Sequence, residues 1–371
     1  MRPVDDPEIV DVLLRHASFR DRAVLEKALS GSFFAPFVHQ EMVNGARFEA
    51  RSRWSRAALA NLPLDHVRES AARASDSEIR SGTFDSLLDE VRRTVAHATL
   101  LIALGKRELV EITQAAVADI DRSIKMVGRR SMPLRKALAA ALARELAAPE
   151  AWAEKSYLGV SRSEALALPL RERVDHMASV FLGTGTIQVS DTVTHALIAL
   201  AQHPGAAAAG DEAVVLETLR RFPVNASITR QATGDVSVLG QQFRAGEPIT
   251  VWPERLGGAA AFDPLTPHDQ VWSFGVGPRA CPARKLSLAL ATAILGRYRA
   301  LGVTIEARYP HRRSLAFDVR ATIGPGAPPM KTPRSARLYT WARYAVVCAE
   351  SYPRAFIAGA PELARVITAR D

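Results

Sequence analysis

Cysteine is almost missing from this chain: only Cys281 and Cys348 occur among 371 residues. That excludes a disulfide framework and suits a reducing compartment. Aromatic residues make up only 6%. No stretch approaches the roughly 18 uninterrupted apolar residues of a membrane span, and Met1-Arg2-Pro3-Val4-Asp5-Asp6 lacks the apolar core of a signal peptide. A cytoplasmic protein without a membrane partner is expected. Internal repeats and zinc-finger spacings are absent too. The formal charge of +9 and pI near 9.9 come from scattered basic residues, not an aromatic-plus-basic pattern, so nucleic acid is not an expected partner. Such a surface suits an acidic protein partner.

What is present favours helix: alanine, leucine and arginine dominate, and β-branched runs are few. Apolar residues recur at helical spacing over 7–29, with further helical stretches at 47–60, 84–104, 107–124 and 134–146. A long helix is predicted from Leu170 through Leu200, before His203-Pro204, and another over 212–222, stopped by Pro223. Val236–Gly240 and Glu247–Val251 alternate as short strands. A Pro- and Gly-rich stretch then leads to a strong helix over 282–301, followed by strands near 303–306 and 314–319. The pattern is mainly α with small β-sheets. It divides into a main domain over 1–332 and a helical C-terminal extension over 333–371.

The most informative segment is Phe274-Gly275-Val276-Gly277-Pro278-Arg279-Ala280-Cys281-Pro282-Ala283. A cysteine here ends a glycine-rich loop just before a helix. Glycines permit positive φ and close approach of backbone to a flat ligand. A helix N-terminus favours thiolate over thiol. Arg279 can reach an anionic group on the same ligand. Most lone cysteines are merely small core residues, but these surroundings are more particular. The loop resembles the haem-binding loop of cytochromes P450, Phe-x-x-Gly-x-Arg/His-x-Cys-x-Gly/Ala, through Phe274, Gly277, Arg279, Cys281 and Ala283. Gly275-x-Gly277 and Gly183-x-Gly185 lack the third glycine and the context of a dinucleotide loop.

The resemblance covers roughly 40–330 and is specific from 180 to 300. It implies a P450-like fold, with haem b (iron protoporphyrin IX) between a long central helix and the cysteine-loop helix. Cys281 would then be the metal ligand. Glu217 and Arg220, 64 residues before the cysteine and nearer, resemble the family's Glu-x-x-Arg pair, with Arg255 as its partner arginine. Arg230 stands where the family places a propionate-binding arginine. The family's His-x-x-x-Arg anchor on an early helix is not intact: Phe48 falls at the histidine, leaving Arg51 or Arg53 as substitutes. Relative to a typical member, the chain is short before the cysteine and long after it.

The family's central helix carries Ala/Gly-Gly-x-Asp/Glu-Thr, whose acid and alcohol relay protons for dioxygen cleavage. Counting back from His203-Pro204 aligns Gly185 with the glycine, Ile187 with the acid and Gln188 with the alcohol. Isoleucine carries no proton, and an amide does not titrate near neutrality. Asp191 and Thr192, one turn on, or Thr186, are the candidate replacements. The resemblance thus implies a haem-thiolate monooxygenase or oxidative coupling enzyme of specialised metabolism. It would act on a small organic or natural-product molecule, with an acidic ferredoxin-type electron donor. The Ile187-Gln188 pair opens an alternative: a haem-thiolate enzyme that uses peroxide or a pre-activated substrate, or performs dehydration or isomerisation. A non-catalytic haem or ligand-binding relative is the third reading. Substrate identity and oligomeric state are not legible.

Overall fold

The computed structural model describes residues 2–16, 19, 31, 33–43, 45–124, 131–224, 228–256, 261–266, 271–305 and 319–325. The expected C-terminal extension, Cys348 and the region expected to continue the first helix to 29 lie outside the described residues, as does nearly all of the expected strand at 314–319.

Strand β1 (Arg2–Val4) and helix α1 (Pro7–Arg15) open the chain. The Asp6 carboxylate accepts hydrogen bonds from the Glu8 and Ile9 amides at 2.9 and 3.2 Å, which fixes where α1 begins. Then come α2 (Gly45–Asn61), α3 (Leu64–Glu78), β2 (Gly82–Phe84), α4 (Leu87–Leu104), α5 (Val110–Ile124) and α6 (Met132–Leu146). Helix α4 is buried around nearly its whole circumference, so it forms the central spine. Ser86 caps its start, and Gly105 ends it at φ 71°.

The predicted long helix is present but is not one regular α-helix. Helix α7 (Leu170–His176) runs into a π-helical stretch, Met177–Gly185, and continues as α8 (Thr186–Gln202). Gly183 permits that widened stretch, because a Cβ there would lie 2.6 Å from the Ala178 carbonyl oxygen. Helix α9 (Asp211–Arg221) precedes β3 (Ile228–Gln231), β4 (Val236–Val238), β5 (Gln241–Phe243) and β6 (Pro248–Val251). Helix α10 (Arg284–Leu301), β7 (Val303–Ile305) and β8 (Ala321–Ile323) complete the described elements.

Strand β6 lies between β1, which it pairs in parallel, and β3, which it pairs antiparallel; β8 lies between β2 and β7, and β4–β5 form a hairpin. One apolar core joins α3, α4, α8, α9 and α10, a second joins α2, α4, α5, α6 and the π stretch, and a third lies under β1, α1 and the β3–β6 strands. The first two cores thus meet on α4 and the α7–α8 composite helix. Among the described residues, no helix is long and apolar enough to cross a membrane.

Candidate functional site: a cavity between the cysteine loop and the π-helical stretch

The loop before α10 is shaped by its backbone. The Cys281 amide donates to the Phe274 carbonyl at 2.7 Å, and the Ala280 amide donates to Gly277 at 3.0 Å. Gly275 and Gly277 take φ of 63° and 75°. Gly277 has a second constraint: a Cβ there would come within 2.5 Å of the Leu14 carbonyl oxygen of α1. Its bare face therefore serves packing against α1. Cys281 is half-buried and precedes the first turn of α10.

Cys281 lines a cavity of about 460 Å³, within the size range of small-molecule sites. From the loop come Phe274, Gly275, Arg279, Cys281 and Ala283; from the composite helix come Thr184, Gly185, Ile187 and Gln188; from β3 comes Arg230. Arg230 is buried and donates to the Thr229 carbonyl at 2.8 Å. The Arg279 guanidinium lies 3.9 Å from the ring centroid of Phe48, so the residue expected in place of a histidine supports this arginine through its π face. No carboxylate side chain is among the described residues lining the cavity.

Several expected site residues lie elsewhere. Arg51 is fully buried and faces away, donating to Glu172 and the Val38 carbonyl, each at 2.5 Å, with Asp175 at 3.5 Å. Burial raises the Glu172 carboxyl's pKa, but Arg47 and Arg51 outweigh it and hold the group below its usual range. Arg53 is exposed and does not line the cavity. The α2 arginine that does so is Arg56, one turn after the cavity-lining Ser52; it donates to the Pro278 carbonyl at 2.9 Å. Shifting the i,i+4 pattern by one turn, from Phe48-x-x-x-Ser52 to Ser52-x-x-x-Arg56, would have found it.

Thr186 is buried, with its hydroxyl 3.4 Å from that of Thr99 on α4. Asp191 and Thr192 are buried where α8 packs beyond the cavity, and the Thr192 hydroxyl donates to the Gln188 carbonyl at 2.8 Å. None of these three lines the cavity. Arg255 is likewise displaced: it is exposed and pairs with Asp5 at 2.9 Å, because its short helical turn, Pro253–Leu256, follows β6 beside the start of the chain. Glu217 and Arg220 are buried and joined by bonds of 2.6 and 2.7 Å. The Asp263 amide also donates to Glu217 at 2.8 Å, and Arg220 donates to the Ala261 carbonyl at 3.4 Å.

The cavity also has a polar side that sequence reasoning missed. His39 Nε2 lies 3.1 Å from Thr184 Oγ1, and that hydroxyl donates to the Ser179 carbonyl at 2.9 Å. His176 Nε2 lies 3.1 Å from the Tyr157 hydroxyl and 3.3 Å from that of Ser55. Burial, then the charges of Arg51 and His39, lower the His176 pKa to about 3, so its ring is neutral. Burial raises that of Tyr157, which keeps its proton. These residues come from distant parts of the chain, and no local motif joins them.

No protein-family model matches the chain, and no curated protein does. Solved structures do match. CalO2 is 18% identical with a TM-score of 0.69, over 88% of this chain and 91% of that one. CYP175A1 from Thermus thermophilus is 18% identical with a TM-score of 0.64, over 87% and 88%. TxtC, a cytochrome P450 described as performing sequential aliphatic and aromatic thaxtomin hydroxylation, is 16% identical with a TM-score of 0.62, over 86% and 91%. With the cysteine loop, the composite helix and the small sheets arranged as described, the fold of this chain is that of the bacterial cytochromes P450.

Proposed function

We propose that the chain is a haem-thiolate oxidoreductase acting on a small organic molecule. The observation that carries this reading is one cavity lined at once by Cys281 and by Arg56, Arg230 and Arg279, with no carboxylate side chain in its described lining. That donor set fits an iron porphyrin: a sulfur ligand for the metal, cations for two carboxylates, and apolar walls for a flat macrocycle. Haem b suits it because each of its two free propionates would find a guanidinium partner among the three. When bound, haem supplies the redox centre for oxygen or peroxide chemistry, tuned by its thiolate ligand.

The chain's own residues perform the rest. Cys281 would hold the metal, and the bond from its amide to the Phe274 carbonyl fixes the backbone that carries the sulfur. Arg56, Arg230 and Arg279 would orient the macrocycle, while Phe48 keeps Arg279 in place. Ile187 excludes water from its part of the wall, and Gln188 offers hydrogen bonds without exchanging protons near neutrality. Hydroxylation would insert one atom of dioxygen into the substrate and release the other as water, taking up two electrons and two protons. An acidic ferredoxin-type donor suits the basic surface, and TxtC supports hydroxylation as the reaction class.

A second reading is favoured by one observation: Ile187 lines the cavity, whereas Asp191, Thr192 and Thr186 do not. Peroxide would then supply oxygen, electrons and protons together, leaving one water. The carbon monoxide difference spectrum of the reduced protein tests the shared core of both readings. A thiolate-type band is expected in the wild type and lost in Cys281→Ala; a colourless wild type, or an unaltered band in the variant, refutes haem-thiolate ligation. Turnover with ferredoxin, reductase and NADPH, against turnover with peroxide alone, separates the two.

A further inference from the structure

The polar side of the cavity is a built hydrogen-bonding site. The Thr184 hydroxyl donates its proton to the Ser179 carbonyl at 2.9 Å, so the His39 contact at 3.1 Å is an N–H donated to Thr184 Oγ1. A hydroxyl oxygen has two lone pairs, and the second remains able to accept from a ligand. Thr184 lies in the π-helical stretch and is partly exposed where it lines the cavity. His39 is held on one side by Phe34, stacked at 4.3 Å between ring centroids. Its segment is fixed by two buried arginines. Arg51 donates to the Val38 carbonyl at 2.5 Å, and Arg135 donates to the Phe33 and Ala35 carbonyls at 2.5 and 2.8 Å. Such fixed support is what a selective site requires.

The surrounding wall is apolar, with Phe33, Phe34, Phe181, Ile124 and Val180. A cationic ligand would meet no carboxylate side chain in the described lining, and an anionic one would compete for the arginines assigned to haem. Resting on the haem-thiolate reading, the geometry points to a ligand that is neutral, mostly apolar and equipped with one hydroxyl or N–H donor. That donor binds Thr184 Oγ1 beside His39.

Four probes on one scaffold test this by titration calorimetry on the haem-loaded protein: 4-phenylcyclohexanol, 4-phenylcyclohexanone, 4-phenylcyclohexylamine and 4-phenylcyclohexanecarboxylate. The alcohol should bind about 3- to 10-fold more tightly than the ketone, which has no donor. Both charged probes should bind more weakly than the alcohol. Thr184→Val should equalise alcohol and ketone, and Thr184→Ser should keep them apart. A charged probe binding as tightly as the alcohol, or a ketone equal to the alcohol, overturns the proposal from the wild type alone. So does Thr184→Val if it preserves the alcohol's advantage. The haem absorption of the same samples separates the causes of failure. Haem present without alcohol preference sinks only this inference; no haem after reconstitution sinks the haem-thiolate reading and this inference with it.

Discussion

Acidification should cost this fold stability through one side chain, His176. The ring is buried against Trp54 at 4.6 Å and lies beside Tyr157 and Ser55. Its pKa is lowered to about 3 from an ordinary 6.5, first by burial and then by Arg51 and His39. The folded-state value lies below the unfolded one, so between these limits the unfolded chain binds more protons. Stability therefore rises with pH through that window and is lost as pH falls from 6.5 toward 3. At pH 5 the difference amounts to about 2 kcal/mol from this residue alone. Urea unfolding at pH 7.5 and pH 5, followed by tryptophan fluorescence, reads the effect in the wild type and in His176→Gln. Shared titrations cancel between the two proteins. The stability advantage of the wild type should shrink by about 2 kcal/mol on acidification. A gap that stays constant would refute the assignment of a buried neutral imidazole.

Three further outcomes follow from the geometry. Gly277→Ala should destabilise the cysteine loop by more than the ~1–2 kcal/mol of a left-handed residue, because its Cβ would also meet the Leu14 carbonyl oxygen at 2.5 Å; thermal midpoint and haem retention measure this. Arg135→Met should cost about 3–5 kcal/mol by leaving Asp119 buried without its 2.6 Å ion pair. The same change should speed amide exchange across 33–39, and unchanged exchange there would deny Arg135 its hold on that segment. Cys281→Ala should abolish the thiolate-type carbonyl spectrum while leaving the apoprotein's helical circular dichroism intact.

The parts of the molecule legible in sequence are those whose signal is local. The loop 274–283 carries its turn glycines, arginine and cysteine within ten residues, so its shape follows from neighbouring residues. Helices α4, α5 and α6 show apolar periodicity and appear close to their expected bounds. Helix α3 escaped notice because its buried face is Val67, Ser70, Ala71, Ala74 and Ser75; small residues permit close packing but supply little periodic contrast. The arginines show a different failure. Arg51, Arg53 and Arg56 share one helix and one chemistry, and the face each occupies depends on elements far away in sequence. Glu172 and Asp175 draw Arg51 to one side, while Pro278 receives Arg56 on another. Thr192 shows why matching helical face is not enough. It lies four residues past Gln188, about 6 Å along the axis, where the cavity has given way to packed core.

A common principle separates the structural arginines from those assigned to the ligand. Arg51, Arg92, Arg135 and Arg220 are all nearly inaccessible, and each meets a carboxylate: Glu172 and Asp175, Asp121, Asp119, and Glu217. Burying a guanidinium without an opposite charge is so unfavourable that packing and pairing must coincide. Arg56, Arg230 and Arg279 border a shared space whose described lining includes no acidic side chain. On the proposed reading, the two carboxylates of a haem would face these guanidinium groups as Asp and Glu face the others. On that reading the arginines of the cavity face the macrocycle's carboxylates, and the wall around Thr184 and His39 offers a second ligand hydrogen-bonding groups and no acidic side chain.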